Sequence, residues 1–125
     1  MTLVLLVDDH PDTTDYLTVK LAEHGFQAEV ARDGEEALAL AGPRHAAIIL
    51  DYHLPHIMGD IVFKQLRANP ITQSIPIVFI TADGARVIQH LLEPGKTICL
   101  QKALSTLVLV QALRDLIAGN SVQVA

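Results

Sequence analysis

Leu3-Val4-Leu5-Leu6-Val7-Asp8-Asp9 sets an unbroken apolar run against two adjacent carboxylates. A run this short, apolar at every position, is the pattern of a strand in a parallel sheet covered on both faces. The pattern returns in Ala46-Ala47-Ile48-Ile49-Leu50, closed by Asp51, and in Ile75-Pro76-Ile77-Val78-Phe79-Ile80, closed by Thr81. A further run, Thr97-Ile98-Cys99-Leu100-Gln101, is followed by Lys102. Strands are therefore expected near 3–7, 27–31, 46–50, 76–80 and 97–101, with helices near 12–24, 34–42, 60–68, 84–92 and 105–118. Gln27-Ala28-Glu29-Val30-Ala31 alternates and is more polar, which suits a sheet edge. Strict alternation of strand and helix implies right-handed βαβ crossovers in an open α/β sheet.

Helix punctuation agrees. Pro11 suits a first helical turn, with Asp12 and Asp15 favouring its positive end. Gly25 stops that helix, Asp33-Gly34-Glu35-Glu36 opens the next, and Gly42-Pro43 ends it. Asn69-Pro70, Pro94-Gly95 and Gly119-Asn120 are the remaining stops. No internal repeat or interdomain linker is visible. One domain over 1–125 is expected, with a core of about 3–119 and a short polar tail at 120–125.

At 125 residues and 50% hydrophobic, the chain can bury a core and is not disordered. No apolar stretch approaches the ~18 residues that span a bilayer. The start, Met1-Thr2-Leu3, has neither a basic leader nor a small-residue cleavage site, so no signal peptide is expected. Cys99 is the single cysteine, in an expected buried strand, so a reducing cytoplasm is the expected location. The net charge of -5 is uneven: residues 1–60 hold eleven acids and three bases, residues 61–125 three acids and six bases. With no basic run and five aromatics, direct nucleic-acid binding is not expected. The acidic part should attract a divalent cation.

In open α/β sheets, ligands bind outside the carboxyl ends of the strands. Helix capping alone explains a lone Asp9, since Asp is a common N-cap. It explains Asp8 beside Asp9 less well, because adjacent like charges repel. With Asp51 added, three carboxylates become comfortable only around a cation, and oxygen ligation suits Mg²⁺. Lys102, at the same sheet edge, reads either as a solvated loop lysine or as the partner of Asp51 or of a phosphoryl oxygen. Thr81 reads as a β-branched strand residue or as a hydroxyl of the same pocket, and Ala82 beside it keeps that pocket open. His10, His53 and His56 raise a transition-metal alternative, which is disfavoured because loop histidines near acids are often incidental.

These residues, Val7-Asp8-Asp9, Asp51-Tyr52-His53-Leu54-Pro55 with Gly59, Thr81-Ala82, Gly95 and Lys102, resemble the receiver domains of two-component response regulators, chemotaxis receivers among them. The resemblance covers essentially the whole chain, at intervals of thirty residues from Asp51 to Thr81 and twenty-one from Thr81 to Lys102. It implies a doubly wound, flavodoxin-like sheet of five parallel strands, order 2-1-3-4-5, with five helices on both faces. Asp51 is implied as phosphoacceptor from a sensor histidine kinase or histidine phosphotransfer protein. Asp9, Asp51 and the His53 backbone carbonyl are implied as Mg²⁺ (or Mn²⁺) ligands, with Asp8 acting through water. Lys102 is implied to pair with the phosphoryl group and Thr81 to hydrogen-bond it. Such a domain catalyses only its own phosphorylation and dephosphorylation.

The chain also departs from that pattern. Ala103 follows Lys102 where proline is usual, so a trans Lys102–Ala103 bond and a shifted loop are expected. Cys99 stands where an aromatic commonly couples to the threonine, and reads as an inert buried thiol sooner than a redox sensor. Lys96 replaces a small residue after Gly95. His53 and Asp83 flank the expected water path to an aspartyl phosphate. Leu107-Val108-Leu109-Val110 is apolar all round. Some of Leu107, Leu109 and Val110 should thus stay exposed and, with Val87, Ile88, Leu91 and Leu92, could form a patch for a homodimer or an output domain, the alternative being a larger buried stripe. Two alternatives accompany the receiver reading: a pseudo-receiver serving only for interaction or dimerisation, and an aspartyl-phosphate hydrolase. The second is disfavoured because neither Asp51-Tyr52-His53 nor Asp8-Asp9-His10 supplies D-x-D.

Overall fold

A computed structural model describes residues 1–82, 89–93, 96–102 and 105–119. Five strands, β1 (Thr2–Val7), β2 (Phe26–Ala31), β3 (Ala47–Asp51), β4 (Ile77–Thr81) and β5 (Thr97–Gln101), form one sheet in the order β2-β1-β3-β4-β5. Every pairing is parallel, and β2 occupies an edge as its alternation predicts. The central strands β3 and β4 are buried at every position. That is why their sequences show no polar alternation.

Four α-helices are present among the described residues: α1 (Pro11–Ala22), α2 (Gly34–Leu40), α3 (Gly59–Ala68) and α4 (Thr106–Ile117). Of the helix expected at 84–92, residues 83–88 lie outside the described residues, and Gln89–Leu91 forms a 3₁₀ turn. Local chemistry sets the helix starts. Pro11 lies in the first turn of α1, the Asp33 carboxylate accepts from Glu36 N–H at 2.8 Å, and the Ser105 hydroxyl accepts from Val108 N–H. The second helix ends at Leu40, before the Gly42-Pro43 stop, whereas Gly25 and Gly119 adopt positive φ after α1 and α4.

Strand alternation divides the core between the two faces. Val4, Leu6, Ile49, Val78 and Leu100 pack with Leu21 of α1 and with Leu109, Leu113 and Leu116 of α4. Leu5, Val7, Ile48, Leu50 and Phe79 pack with Ala37 of α2 and with Val62, Phe63 and Leu66 of α3. The all-apolar start of α4 divides: Leu109 and Val110 are buried, whereas Leu107 (67% exposed) stays exposed as expected and Val108 also faces outward. The expected patch is corrected accordingly, because Leu91 is also buried. Val87 and Ile88 lie outside the described residues.

Below the sheet, Arg67 of α3 ties several elements together. Its guanidinium donates to the Ile75 carbonyl at 2.7 Å, to Thr97 Oγ1 at 2.9 Å and to Glu93 Oε1 at 3.1 Å. Thr97 Oγ1 also donates to Glu93 Oε1 at 2.9 Å. At the β2 edge, the buried His45 contacts Glu29 Oε1 through Nε2 at 2.8 Å, and Arg44 donates to the same oxygen at 2.7 Å. These contacts hold the Glu29 carboxyl below its usual range, with the His45 bond the largest cause.

Candidate functional site

The strand tips converge. Val7 ends β1, so Asp8 and Asp9 follow at its carboxyl end, while Asp51 is the last residue of β3 and Thr81 the last of β4. Lys102 follows β5, and its N–H donates to the Thr81 carbonyl at 2.9 Å. This backbone bond extends the β4–β5 pairing one step beyond Thr81 and Gln101 and fixes the root of the lysine. Lys102 Nζ then reaches 2.9 Å from Asp51 Oδ2 and 3.1 Å from Asp8 Oδ2.

Burial sets the electrostatics. Asp8 is 0% exposed and Asp51 1%. Desolvation pushes the Asp51 carboxyl above its usual value and Asp8 adds to the rise, against the Lys102 bond and charge and the His53 N–H at 3.1 Å. Burial pulls the Lys102 ammonium down, but its bonds to Asp51 and Asp8 outweigh it, so the group is held above its ordinary value. A charged lysine facing two buried carboxylates is the result.

The pocket has capacity for a further cation. Asp8 Oδ2 and Asp9 Oδ1 are buried atoms, and among the described residues neither accepts a well-aligned hydrogen bond, Asp8 Oδ2 having instead its ion pair with Lys102. Donor atoms of Asp8, Asp9, His10 and Asp51 lie within 4.8 Å of one another. Hard carboxylate oxygens with open lone pairs fit Mg²⁺ or Mn²⁺. His10 is the contributor that sequence reasoning set aside. Its backbone N–H and its Nδ1 both contact Asp8 Oδ1, at 2.9 and 2.8 Å, and Nδ1 lies 3.2 Å from Lys102 Nζ.

The remaining expectations divide. Thr81 is buried at the rim, and Ala82, exposed, helps line a cavity of 340 Å³ with Thr13, Gln101 and Lys102. His53 is exposed beside Asp51. Cys99 is half-buried, and desolvation raises its thiol, which disfavours the reactive thiolate. Asp83, Gly95 and the Lys102–Ala103 bond lie outside the described residues.

The response regulator receiver domain family matches residues 4–114. The sensor histidine kinase RcsC of Escherichia coli (strain K12) is 33% identical over 113 residues, covering 89% of this chain and 12% of that protein. The transcriptional regulatory protein CpxR homolog of Haemophilus influenzae is 30% identical over 122 residues, covering 97% of this chain and 52% of that protein. The chain thus spans only part of the curated relatives it matches. Among solved structures, the receiver domain of sensor histidine kinase PA1611 from Pseudomonas aeruginosa superposes with a TM-score of 0.84. It is 26% identical, with 94% of this chain and 98% of that chain covered, and was solved with a magnesium ion in its active site cleft. Receiver domains are signalling modules of two-component systems rather than conventional enzymes. The chain belongs to the response regulator receiver domain family.

Proposed function

We propose that this chain is a phosphoacceptor switch that takes a phosphoryl group onto Asp51 from the phosphohistidine of a sensor histidine kinase or histidine phosphotransfer protein. The observation that carries this reading is the Lys102 ammonium held between Asp51 Oδ2 and Asp8 Oδ2, at 2.9 and 3.1 Å. It offsets part of the desolvation that burial imposes on the nucleophilic carboxylate and stands ready to follow the charge as it moves onto phosphate.

An Asp51 carboxylate oxygen forms the new P–O bond as the P–N bond to the donor imidazole breaks, and that imidazole leaves with the bonding pair. Lys102 then exchanges the Asp51 oxygen for a phosphoryl oxygen, and the Thr81 hydroxyl donates to another. Asp8, Asp9, Asp51 and the His53 carbonyl are the residues to hold Mg²⁺ or Mn²⁺, which when bound supplies charge neutralisation at the transferring group. Hydrolysis of the aspartyl phosphate by water, steered by His53, two residues past Asp51, and by Asp83, two residues past Thr81, returns the carboxylate. Residues 1–125 act as one receiver unit in the cytoplasm. Leu107 and Val108, exposed at the start of α4, mark a face for a second copy or an output domain.

The test is incubation with Mg²⁺ and a small phosphodonor, with detection of base-labile phosphate by intact-protein mass. Labelling that disappears in Asp51→Asn supports the reading. No labelling of the wild-type protein under conditions where it is folded overturns it in favour of a pure interaction domain, and turnover of an added phosphate ester would instead indicate a hydrolase.

A further inference from the structure

We infer that His10 is an inner ligand of the metal pocket, a nitrogen donor among carboxylates that makes the site take Mn²⁺ in preference to Mg²⁺. The inference rests on the metal-dependent reading above and adds a residue to it. Among the described residues, His10 is the one histidine whose ring joins the acidic cluster; His53 and His56 do not.

The position of His10 is built. Its N–H is held by Asp8 Oδ1 at 2.9 Å, its backbone is extended at φ -92 and ψ 109, and Pro11 follows in the helix. The side chain is 58% exposed, so burial in a core does not account for its inward turn. Nδ1 lies 2.8 Å from Asp8 Oδ1, 3.2 Å from Asp9 Oδ1 and 3.9 Å from Asp51 Oδ2. Neighbouring ligands of an octahedral ion at about 2.1 Å sit about 3.0 Å apart, so the distances to Asp8 and Asp9 are those of groups sharing one ion.

The donors and acceptors point the same way. A lone pair on Nδ1 suits Lys102 Nζ at 3.2 Å but sets acceptor against acceptor toward Asp8 and Asp9. A hydrogen on Nδ1 suits the carboxylates but sets two donors against each other at Lys102. Among the described residues, neither arrangement gives Asp9 Oδ1 a well-aligned hydrogen bond, and Asp8 Oδ2 has its ion pair with Lys102 at 3.1 Å. A cation in the pocket reconciles the imidazole lone pair with every carboxylate. Nitrogen donation favours first-row transition ions over Mg²⁺, whose chemistry prefers oxygen.

The probes are Mn²⁺ and Mg²⁺ themselves, titrated calorimetrically into wild-type protein, His10→Ala and His10→Asn, with circular dichroism to verify folding. His10→Asn places a good N-cap side chain at the start of α1 should the alanine variant unfold. Pulsed electron paramagnetic resonance of the Mn²⁺-bound protein reads directly coordinated nitrogen. We expect an imidazole nitrogen coupling in the wild type that is absent from both variants. We also expect the Mn²⁺-over-Mg²⁺ preference to fall by about tenfold or more, the scale seen for lost metal-site contacts. Mn²⁺ binding without nitrogen coupling overturns the role of His10 while leaving the carboxylate site intact. Failure of folded wild-type protein to bind either ion overturns both the inference and the metal-dependent reading.

Discussion

Gly59 at the start of α3 lies so close to Asp51 that a Cβ on it would stand 2.6 Å from the Asp51 carbonyl oxygen and 2.8 Å from Tyr52 Cα. The Gly59 N–H also donates to the Tyr52 carbonyl at 2.8 Å. The loop leaving β3 is thereby folded back against the helix that follows it, and the neighbours a Cβ would meet are backbone atoms that cannot rotate away. Gly59→Ala should lose roughly 1–3 kcal/mol by overpacking. Urea denaturation measures this as a lower midpoint at an unchanged slope. A midpoint equal to wild type would show that the loop yields freely.

Lys102→Met retains the stem of the side chain and removes its charge, leaving Asp8 and Asp51 facing each other without a cation. The expected loss is about 1–3 kcal/mol, below the usual cost of breaking a fully buried pair because the lysine is partly exposed. Saturating Mg²⁺ should recover part of it. The pH dependence has a definite sign: since the Lys102 ammonium is held above its ordinary value, its contribution is complete below the unfolded lysine pKa and disappears as pH rises through the folded value. Thermal melts with and without Mg²⁺ compare the two proteins, and equal midpoints in metal-free buffer would contradict the ion pair.

Asp51→Asn should stabilise the metal-free protein at neutral pH. The Asp51 carboxyl is raised, chiefly by desolvation, so the folded state binds its proton more tightly than the unfolded chain does. Stability of the wild type therefore falls as pH rises through the window from the unfolded to the folded value, and ionised Asp51 costs most above that window. A gain of a few degrees in melting temperature near neutrality is expected, shrinking as the pH is lowered toward the ordinary carboxylate range. A gain that grows on acidification would reverse the assignment. Mg²⁺ should raise the wild-type melting temperature more than that of the variant.

Arg67→Leu separates the two ends of the molecule. It leaves the Ile75 carbonyl, Glu93 and Thr97 without their shared donor and should cost about 2–3 kcal/mol, near the sum of three ordinary bonds. The rate of Asp51 labelling should change little, because these partners lie at the amino ends of β4 and β5. Chemical denaturation beside a labelling time course decides this. A variant equally stable but slow to label would mean that the network serves the site instead of the fold.

The sheet was readable because buried parallel strands leave a mark that few other segments share. The β5 range of 97–101 matches the structure, and the other strands differ by a residue at their ends. The convergence of Asp8, Asp9, Asp51 and Lys102 follows from strand tips alone. Other features depend on geometry that no pattern encodes. The split of Leu107 from Leu109 is a matter of helix rotation on the sheet. The inward turn of His10 needs the Asp8 carboxylate to capture its backbone N–H, and a histidine after two aspartates does not announce that. Arg67, thirty residues from Thr97, gave no local sign of their contact.

The Arg67 network also constrains how the site end of the sheet can move. With β4 and β5 both pinned near their first residues, sliding either strand along its axis would break its bond to the Arg67 guanidinium. Tilting a strand about its pinned end need not. Each strand has five residues, a lever of about 13 Å at ~3.3 Å per residue. A displacement of ~1 Å at the Thr81 and Lys102 tips then needs a rotation of only about 4° on that lever. Any such tilt would pivot at the foot of the sheet and be felt most at the bonded tips of β4 and β5.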